Sequence, residues 1–151
     1  DQSIFARDIL NEKNGPPPEI NLFNEKNNGE TVLKLIDKNF IKAAHDVSLG
    51  GIIIALSKMC IKGKKGVTLK KPNYLINPFE YFFGEDQGRY IVEIEKDTFN
   101  DVTEILEKNS VHYDDLGTVN ENMLIIDKKS KVSIDEIIKS NTSWLTNYMS
   151  K

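Results

Sequence analysis

The chain has 151 residues, of which 39% are apolar, and this length and content suit one globular domain with a substantial core. Its 20 basic and 23 acidic residues leave a formal charge of −3 and form no long block of either sign, which argues against a nucleic-acid-binding arm or a polybasic membrane anchor. No apolar segment is long enough to span a bilayer, and the amino terminus lacks the pattern of a signal peptide, so no membrane partner is expected.

The single cysteine excludes an intramolecular disulfide. Cys60 lies in the apolar run 52–61, which predicts a buried thiol in a reducing compartment, and we therefore expect a cytoplasmic protein.

The first residue is Asp1 rather than methionine. We interpret the chain as a piece of a longer polypeptide.

In the first half of the chain, helices and strands alternate. The predicted elements are a helix over 3–12, a helix following Gly29, a strand over 42–47, a helix over 52–61 and a strand over 67–69. The three prolines 16–18 end the first helix because proline cannot continue it. The helix over 52–61 is apolar on nearly every face, which predicts that it is covered on more than one side.

The second half continues with shorter elements. It is predicted to hold a turn at 77–78 into an aromatic segment 79–83, a strand over 90–94, a helix around 99–106, strands over 113–119 and 123–127, and a last helix from 134. Asp97 is expected to cap the penultimate helix. Ser133 and Glu136 have the spacing of a capping box. Three apolar side chains are expected to pack the end of the last helix down: Trp144, Leu145 and Tyr148.

This order of elements predicts an α/β (α+β) fold. A mixed β-sheet with helices packed mainly on one face is the arrangement that suits it. We expect a single domain over residues 1–151.

The first candidate site is the motif HDVSLGG, where a strand gives way to a helix. Gly50 and Gly51 allow unusual backbone conformations, and the N–H groups of a helix start can hold an anion such as phosphate. Alternatively, Ser48 caps the helix and the glycines only make a tight turn. His45 and Asp46 could be a base and its orienting carboxylate, or His45 is a structural residue, since neighbours on a strand point to opposite faces.

The second candidate site is the motif FGEDQGRY, a polar loop that feeds the strand over 90–94. Arg89 could clamp a phosphate or carboxylate with its planar guanidinium, and Glu85 and Gln87 could orient a ligand. An ion pair of Arg89 with Glu85 or Asp86 explains the same residues without a ligand. Both interpretations stay open on composition alone.

Other chemistry has less support. His112 lies near Asp114 and Asp115, but the two histidines and one cysteine have no metal-site spacing, so we predict no metal ligands. Neither a phosphate-binding P-loop, a dinucleotide fingerprint nor a G-x-S-x-G elbow occurs. No catalytic residue is assigned.

Taken together, the two motifs resemble the carboxy-terminal domain of the aminoimidazole ribonucleotide synthetase superfamily. Its members carry H-D-x-S-[DE]-G-G and, some tens of residues later, F-x-E-S-Q-S-R, where this chain reads AAHDVSLGGIIIALSKM and FFGEDQGRYIVEI. The lead-in ARDIL…GPPPEINL and the end GTV…L…W resemble the last domain of the phosphoribosylformylglycinamidine synthases of the small bacterial type. The resemblance covers nearly the whole chain.

The resemblance implies an ATP-dependent ligase of purine biosynthesis. ATP, with Mg²⁺, activates the amide oxygen of formylglycinamide ribonucleotide, and ammonia released from glutamine then gives the amidine. It implies partners as well: the remaining domains of the same chain, a glutaminase subunit that completes a glutamine amidotransferase complex, and a small assembly subunit. Such synthases have two similar halves, of which one is catalytic.

The chain departs from the pattern at three positions. Leu49 stands where the turn has an acidic residue, and Asp86 and Gly88 stand where the loop has serines. A carboxylate in place of a hydroxyl removes a donor and repels a nearby phosphate by about 1 kcal/mol or more. We therefore predict a domain of the non-catalytic half, inactive in isolation, whose motifs serve structure or a degenerate ligand site. The residues of that degenerate site are His45, Asp46, Ser48, Gly50, Gly51, Glu85, Gln87 and Arg89.

Two alternatives stay open. The chain could be a structural or assembly domain without its own ligand. It could also belong to another superfamily member, such as aminoimidazole ribonucleotide synthetase or thiamine-monophosphate kinase.

Overall fold

A computed structural model describes residues 3–13, 15–72, 77–126 and 130–150. Its helices are α1 (Ile4–Asp8), α2 (Leu22–Asp37), α3 (Gly51–Gly63), α4 (Pro78–Phe83), α5 (Phe99–Lys108) and α6 (Ile134–Met149). Its strands are β1 (Ile41–Asp46), β2 (Gly66–Leu69), β3 (Tyr90–Ile94), β4 (Gly117–Asn120), β5 (Met123–Ile125) and β6 (Lys131–Ser133). Within these described ranges, no helix combines the length and apolarity needed to cross a membrane.

The strands form two sheets. β1 and β3 make an antiparallel pair, and the other sheet has the order β4-β2-β5-β6. In that second sheet β2 runs parallel to β5, whereas its remaining pairs are antiparallel. The predicted α/β class with a mixed sheet is confirmed, with the strands divided between two sheets.

The described residues fall into two compact units. The first contains residues from 1–55 and 75–114, and the second contains residues from 56–74 and 115–151. The first unit therefore holds α1, α2, β1, the start of α3, α4, β3 and α5. The second holds the rest of α3, β2, β4 to β6 and α6. The single domain over 1–151 stays a prediction.

α3 is buried on several sides, as its apolar composition predicts. Ile52, Ile53 and Ala55 are buried in its first part, and Leu56 and Cys60 in its second. Cys60 is buried, which confirms the predicted burial of its side chain. Burial of side chains around most of a helix explains why α3 has little amphipathic pattern.

The boundaries of α1 and α2 differ from those predicted. α1 ends at Asp8 rather than at residue 12, and α2 begins at Leu22 rather than after Gly29. The side chain of Asn21 caps α2 by accepting a hydrogen bond from the N–H of Asn24 at 3.0 Å. Because this cap starts the helix early, Gly29 lies inside α2. Glycine lowers the stability of a helix interior, and tertiary contacts offset that loss.

Several predicted elements of the second half need correction. Residues 78–83 form a helix, since the side chain of Asn77 accepts from the N–H of Phe79 at 3.0 Å. Asp97 does not cap α5, because it lies in a 3₁₀ turn, Lys96–Thr98, directly before the helix. The predicted strand over 113–119 is the shorter β4, and β6 was not predicted. The strand over 123–127 ends at Ile125, and its last predicted position, 127, lies outside the described residues.

α6 begins as predicted and ends differently. The capping box of Ser133 and Glu136 is present in both directions, which confirms the predicted start. The expectation that Trp144, Leu145 and Tyr148 pack down is wrong, because all three side chains are exposed. The helical periodicity predicts which face of α6 is apolar, but it does not predict the residue after which that face becomes exposed.

Candidate functional site

The two sequence motifs meet because β1 pairs with β3. In this antiparallel pair Asp46 lies opposite Tyr90 and His45 opposite Ile91, and the N–H of Val47 donates to the carbonyl of Arg89 at 2.8 Å. The end of the HDVSLGG strand is thus hydrogen-bonded to the end of the FGEDQGRY loop. Both motifs lie in the first unit.

A cavity of about 380 Å³ opens where the motifs meet. It is lined by Glu25, Asp46, Val47, Ser48, Leu49, Glu85, Gln87, Gly88, Arg89 and Tyr90. The lining includes five of the eight predicted site residues, namely Asp46, Ser48, Glu85, Gln87 and Arg89. Three predicted residues are not part of it: His45, Gly50 and Gly51.

His45 contacts its sequence neighbour rather than the cavity. Its Nδ1 lies 2.6 Å from the carbonyl oxygen of Asp46 and 3.4 Å from the Oδ1 of the same residue. The shorter contact requires a proton on Nδ1, which leaves Nε2 of a neutral imidazole as an acceptor. Asp46 lines the cavity and His45 does not, in agreement with the alternation of side chains along a strand.

Glu85, in the FGEDQGRY motif, binds the turn that contains Gly50 and Gly51. Its Oε1 accepts hydrogen bonds from the N–H of Gly50 at 2.9 Å and from the N–H of Ile4 at 2.8 Å. These are charge-assisted bonds to backbone donors, and the carboxylate is half-buried, which strengthens them. The donor that the sequence offers to an anion at Gly50 is therefore bonded to the protein's own carboxylate.

Gly51 brings the start of α3 against the loop after α4. It has φ of +69°, and a Cβ at this position would lie 2.7 Å from the carbonyl oxygen of Phe82 and 2.8 Å from that of Gly84. Only glycine suits both the conformation and the close approach. The second glycine of the motif is thus needed for packing. The carbonyl of Ser48 accepts from the N–H of Gly51 at 3.0 Å, and a cap by the Ser48 side chain stays a prediction.

Arg89 is held within its own loop. Its Nη2 donates to the carbonyl of Gly84 and lies 3.4 Å from Oδ2 of Asp86, in a pair whose side chains are 27% and 50% exposed. The sequence left open whether Arg89 pairs with Glu85 or with Asp86, and the structure shows the pair with Asp86. The Nε of Arg89 is buried and has no hydrogen-bond partner within the part of the chain that the structure describes.

The charges lining the cavity are mostly negative. Glu25, Asp46 and Glu85 contribute carboxylates, whereas Arg89 is the one basic residue of the lining. A phosphate entering this cavity would meet more repulsion than attraction, and burial increases the effect. Across the described residues, no group of three or more His, Cys, Asp or Glu side chains is arranged to hold a metal ion.

Sequence reasoning missed the contribution of α2. Glu25 lines the cavity, and the Nδ2 of Asn28 donates to the carbonyl of Gly88 at 3.0 Å. Gly88 has φ of +68°, and a Cβ there would lie 3.2 Å from the Cα of Glu25, so glycine permits the helix to approach. The signal for an earlier start of α2 was Asn21, an N-cap residue just before two apolar positions.

Comparison with known proteins gives one family. The model of the family "AIR synthase related protein, C-terminal domain" matches residues 2–127. The chain is 79% identical over 149 residues to the phosphoribosylformylglycinamidine synthase subunit PurL of Pelagibacter ubique, covering 99% of this chain and 20% of that subunit. It is 41% identical over 150 residues to the PurL subunit of Bartonella quintana, with the same coverages of 99% and 20%.

Solved structures of PurL from Thermotoga maritima share the fold. The chain superposes on PurL complexed with FGAR with a TM-score of 0.72 at 22% identity, covering 89% of this chain and 24% of that one. It superposes on the structure of PurLQS with a TM-score of 0.66 at 21% identity, covering 88% and 24%. The chain therefore spans about one fifth of the length of the curated relatives that it matches.

Proposed function

The chain belongs to the AIR synthase related protein, C-terminal domain family, and we propose that it forms the carboxy-terminal domain of a phosphoribosylformylglycinamidine synthase of the small bacterial type. Similarity to PurL subunits over 99% of the chain supports this assignment. The whole enzyme would convert formylglycinamide ribonucleotide, ATP and glutamine-derived ammonia to the amidine in purine biosynthesis. The activity belongs to the complete polypeptide rather than to this chain alone.

We further propose the partners and cofactors of that enzyme. A separate glutaminase subunit would supply ammonia, and a small subunit would help to assemble the complex. The structure of PurLQS from Thermotoga maritima supports the presence of further subunits. ATP is supported by a PurL structure complexed with ATP. The buried Cys60 thiol fits a cytoplasmic protein.

The domain would lie in the non-catalytic half. The observation that carries this proposal is Asp86, which stands where the motif has serine and places its carboxylate 3.4 Å from Nη2 of Arg89, so that the one basic side chain of the cavity lining is paired within the protein. The three carboxylates of the lining and the hydrogen bonds from Gly50 and Ile4 to Glu85 also disfavour a phosphate.

Mg²⁺ would accompany ATP in the complete enzyme. Mg²⁺ requires octahedral oxygen ligands, commonly one or two carboxylates plus substrate phosphates. Among the described residues, no group of three or more His, Cys, Asp or Glu side chains is arranged to hold a metal ion. The residues of this cavity therefore do not fit an all-protein magnesium site.

A ligand-free structural domain is compatible with this assignment and describes its role within the polypeptide. Another member of the superfamily, such as aminoimidazole ribonucleotide synthetase or thiamine-monophosphate kinase, is less consistent with the relatives. Those with identities of 79% and 41% are both synthase subunits.

Binding of anions at Gly50 tests the proposal. The chain is titrated separately with inorganic phosphate and with ADP plus magnesium, and the backbone amide of Gly50 is followed by NMR. We expect no saturable shift below about 10 mM ligand, a free energy of binding weaker than about −3 kcal/mol. A saturable shift with a Kd below about 1 mM would show a functional anion site and overturn the assignment to a ligand-free turn.

A pair of variants controls that titration. Glu85→Ala removes the acceptor of the Gly50 N–H and is expected to make the Gly50 amide signal respond to phosphate. Glu104→Ala, at an exposed position of α5, is expected to leave that signal unresponsive. An equal response of all three proteins would contradict the idea that Glu85 fills the turn.

A further inference from the structure

The last two turns of α6 carry an exposed apolar surface, called here the terminal patch. It consists of Trp144, Leu145, Tyr148 and Met149, whose side chains are 65%, 58%, 64% and 75% exposed. The rings of Trp144 and Tyr148 stack with centroids 5.5 Å apart and an angle of 12° between planes. Stacking of residues one turn apart gives the helix one continuous aromatic face.

The terminal patch continues a face that is already used for packing. α6 contacts β6, Ile134 is only 4% exposed, and Ile137 and Ile138 are half-buried. Leu145 and Tyr148 follow Ile138 at helical spacing, on the same side. The apolar stripe thus extends two turns beyond the point where the second unit covers it.

The composition of this helical end is that of an interface core. Residues 141–150 contain no charged side chain, although 28% of the chain is charged. Interface cores are depleted in charge and enriched in aromatic residues and methionine. A contiguous apolar patch on a protein surface usually marks an interaction site.

Sequence similarity separates α6 from the rest of the family domain. The family model ends at residue 127, before α6 begins at Ile134. Similarity to the PurL subunit of Pelagibacter ubique continues over 149 residues, and the chain spans 20% of that subunit. α6 therefore belongs to the sequence of the longer subunit but not to the domain that the whole family shares.

We propose that the terminal patch docks on another part of the same synthase polypeptide, outside this chain. The inference rests on the proposed function. Because the four side chains of the terminal patch are 58% to 75% exposed, they leave roughly 500 Å² to be covered, less than the roughly 800 Å² that each partner contributes to a stable complex between separate proteins. A partner tethered in the same polypeptide has an effective concentration near the millimolar range, for which a small patch suffices.

Hydroxyl-radical footprinting with mass spectrometry tests this docking without any substitution. Oxidation rates of Trp144 and Tyr148 are measured in the 151-residue chain and in the complete synthase polypeptide. We expect oxidation to be at least about fivefold slower in the complete polypeptide, because the docked rings lose their access to solvent.

The other outcomes overturn the inference and identify the true occupant. Equal rates in both proteins mean that the patch is free. Protection that requires the added glutaminase or small subunit assigns the patch to a separate protein, and concentration-dependent protection in the 151-residue chain assigns it to a second copy. Failure of the proposed function is a different result: a complete polypeptide that protects Trp144 but makes no amidine.

Measuring Tm in the 151-residue chain and in the complete polypeptide provides a second test of docking. Replacing Trp144 and Tyr148 together by serine should change the Tm of the 151-residue chain by less than about 1 °C, because exposed substitutions cost little, and should lower that of the complete polypeptide by about 3 °C or more. Lys139→Ser, an exposed position on the same helix, serves as the control in both. The same shift of Tm in both contexts would contradict docking.

Discussion

Glu85 connects two distant segments of the first unit. One carboxylate oxygen joins the N–H groups of Ile4 and Gly50, which are 46 positions apart in the sequence. α1 buries no residue completely. This bond attaches it to the rest of the unit, together with the stacking of Phe5 on Phe83 and on Phe79, with centroids 4.3 Å and 5.4 Å apart.

Substitution of Glu85 should therefore destabilise the first unit. Glu85→Ala leaves two half-buried donors without their acceptor, and we expect a loss of about 2 kcal/mol in the free energy of unfolding. Glu85→Gln keeps an acceptor oxygen without its charge and should cost less. Urea denaturation provides the measurement, with Glu104→Gln as the surface control. A Glu85→Ala variant as stable as that control would refute the assignment.

The departures at Asp86 and Gly88 from the family motif have different structural consequences. The Asp86 carboxylate pairs with Arg89 near the surface, where an ion pair contributes less than about 1 kcal/mol. Gly88 permits the approach of α2, because a Cβ there would lie 3.2 Å from the Cα of Glu25. The serine of the motif at position 88 would therefore be strained.

Restoring the two serines separately should distinguish these roles. Asp86→Ser should change the free energy of unfolding by less than about 1 kcal/mol, and Gly88→Ser should lower it by about 1–3 kcal/mol through strain at positive φ. Chemical denaturation of both variants under the same conditions measures the two changes in the free energy of unfolding. If Gly88→Ser is the milder change, the packing of α2 on this loop is not what requires glycine.

At the scale of the elements, α3 offers a comparison between its two ends. Gly51→Ala places a Cβ 2.7 Å from the carbonyl oxygen of Phe82 in a conformation with φ of +69°, whereas a Cβ at Gly63 meets nothing within 4 Å. We expect Gly51→Ala to cost about 2 kcal/mol or more and Gly63→Ala to be neutral or slightly stabilising. Thermal unfolding measures both. Equal effects would mean that the start of α3 does not press against the loop after α4.

The start of α6 makes its stability dependent on pH. Hydrogen bonds from the side chain and then the backbone of Ser133 lower the pKa of Glu136 below its ordinary value of 4.5. Because the folded pKa is lowered, the capping contribution is present above the unfolded pKa and is lost as pH falls through the folded one.

NMR titration of the Glu136 carboxyl group provides the test. We expect a pKa below 4.5 in the unmodified chain and a pKa nearer that value in Ser133→Ala, because the variant loses the hydroxyl donor. Ser140→Ala, in the body of α6, should leave the titration unchanged. A pKa that does not respond to Ser133→Ala would mean that the capping box does not set the charge of Glu136.

Sequence predicts those elements whose signal is local. α3, β2 and β3 follow from apolar runs and alternation, and the start of α6 follows from its capping box. The start of α2 at Leu22 was missed because Gly29 and the preceding prolines suggested a break, whereas the Asn21 cap and contacts with the loop before β3 stabilise the longer helix. β6 has three residues, too few for a periodic signal.

In the whole molecule, the motifs bring most of their predicted residues to one cavity, but they do not predict the contacts within it. Five of eight predicted residues line one cavity, because β1 and β3 pair in the register that joins the motifs. The bond between Glu85 and Gly50 links positions 35 residues apart, and the contribution of Glu25 depends on how α2 packs. Such tertiary contacts have no signature in spacing, and they decide whether the turn is open to a ligand.

We propose that this domain belongs to the synthase but does not carry its catalysis. Ammonia-dependent amidine formation by the complete polypeptide tests it most directly, with Ser48→Ala and Gln87→Ala as the variants. Both side chains line the cavity and are exposed, so we expect their substitution to cost little stability. We expect a turnover number within about twofold of the unmodified enzyme. A loss of about 100-fold or more, the size expected when a catalytic group is removed, with an unchanged Tm would contradict it.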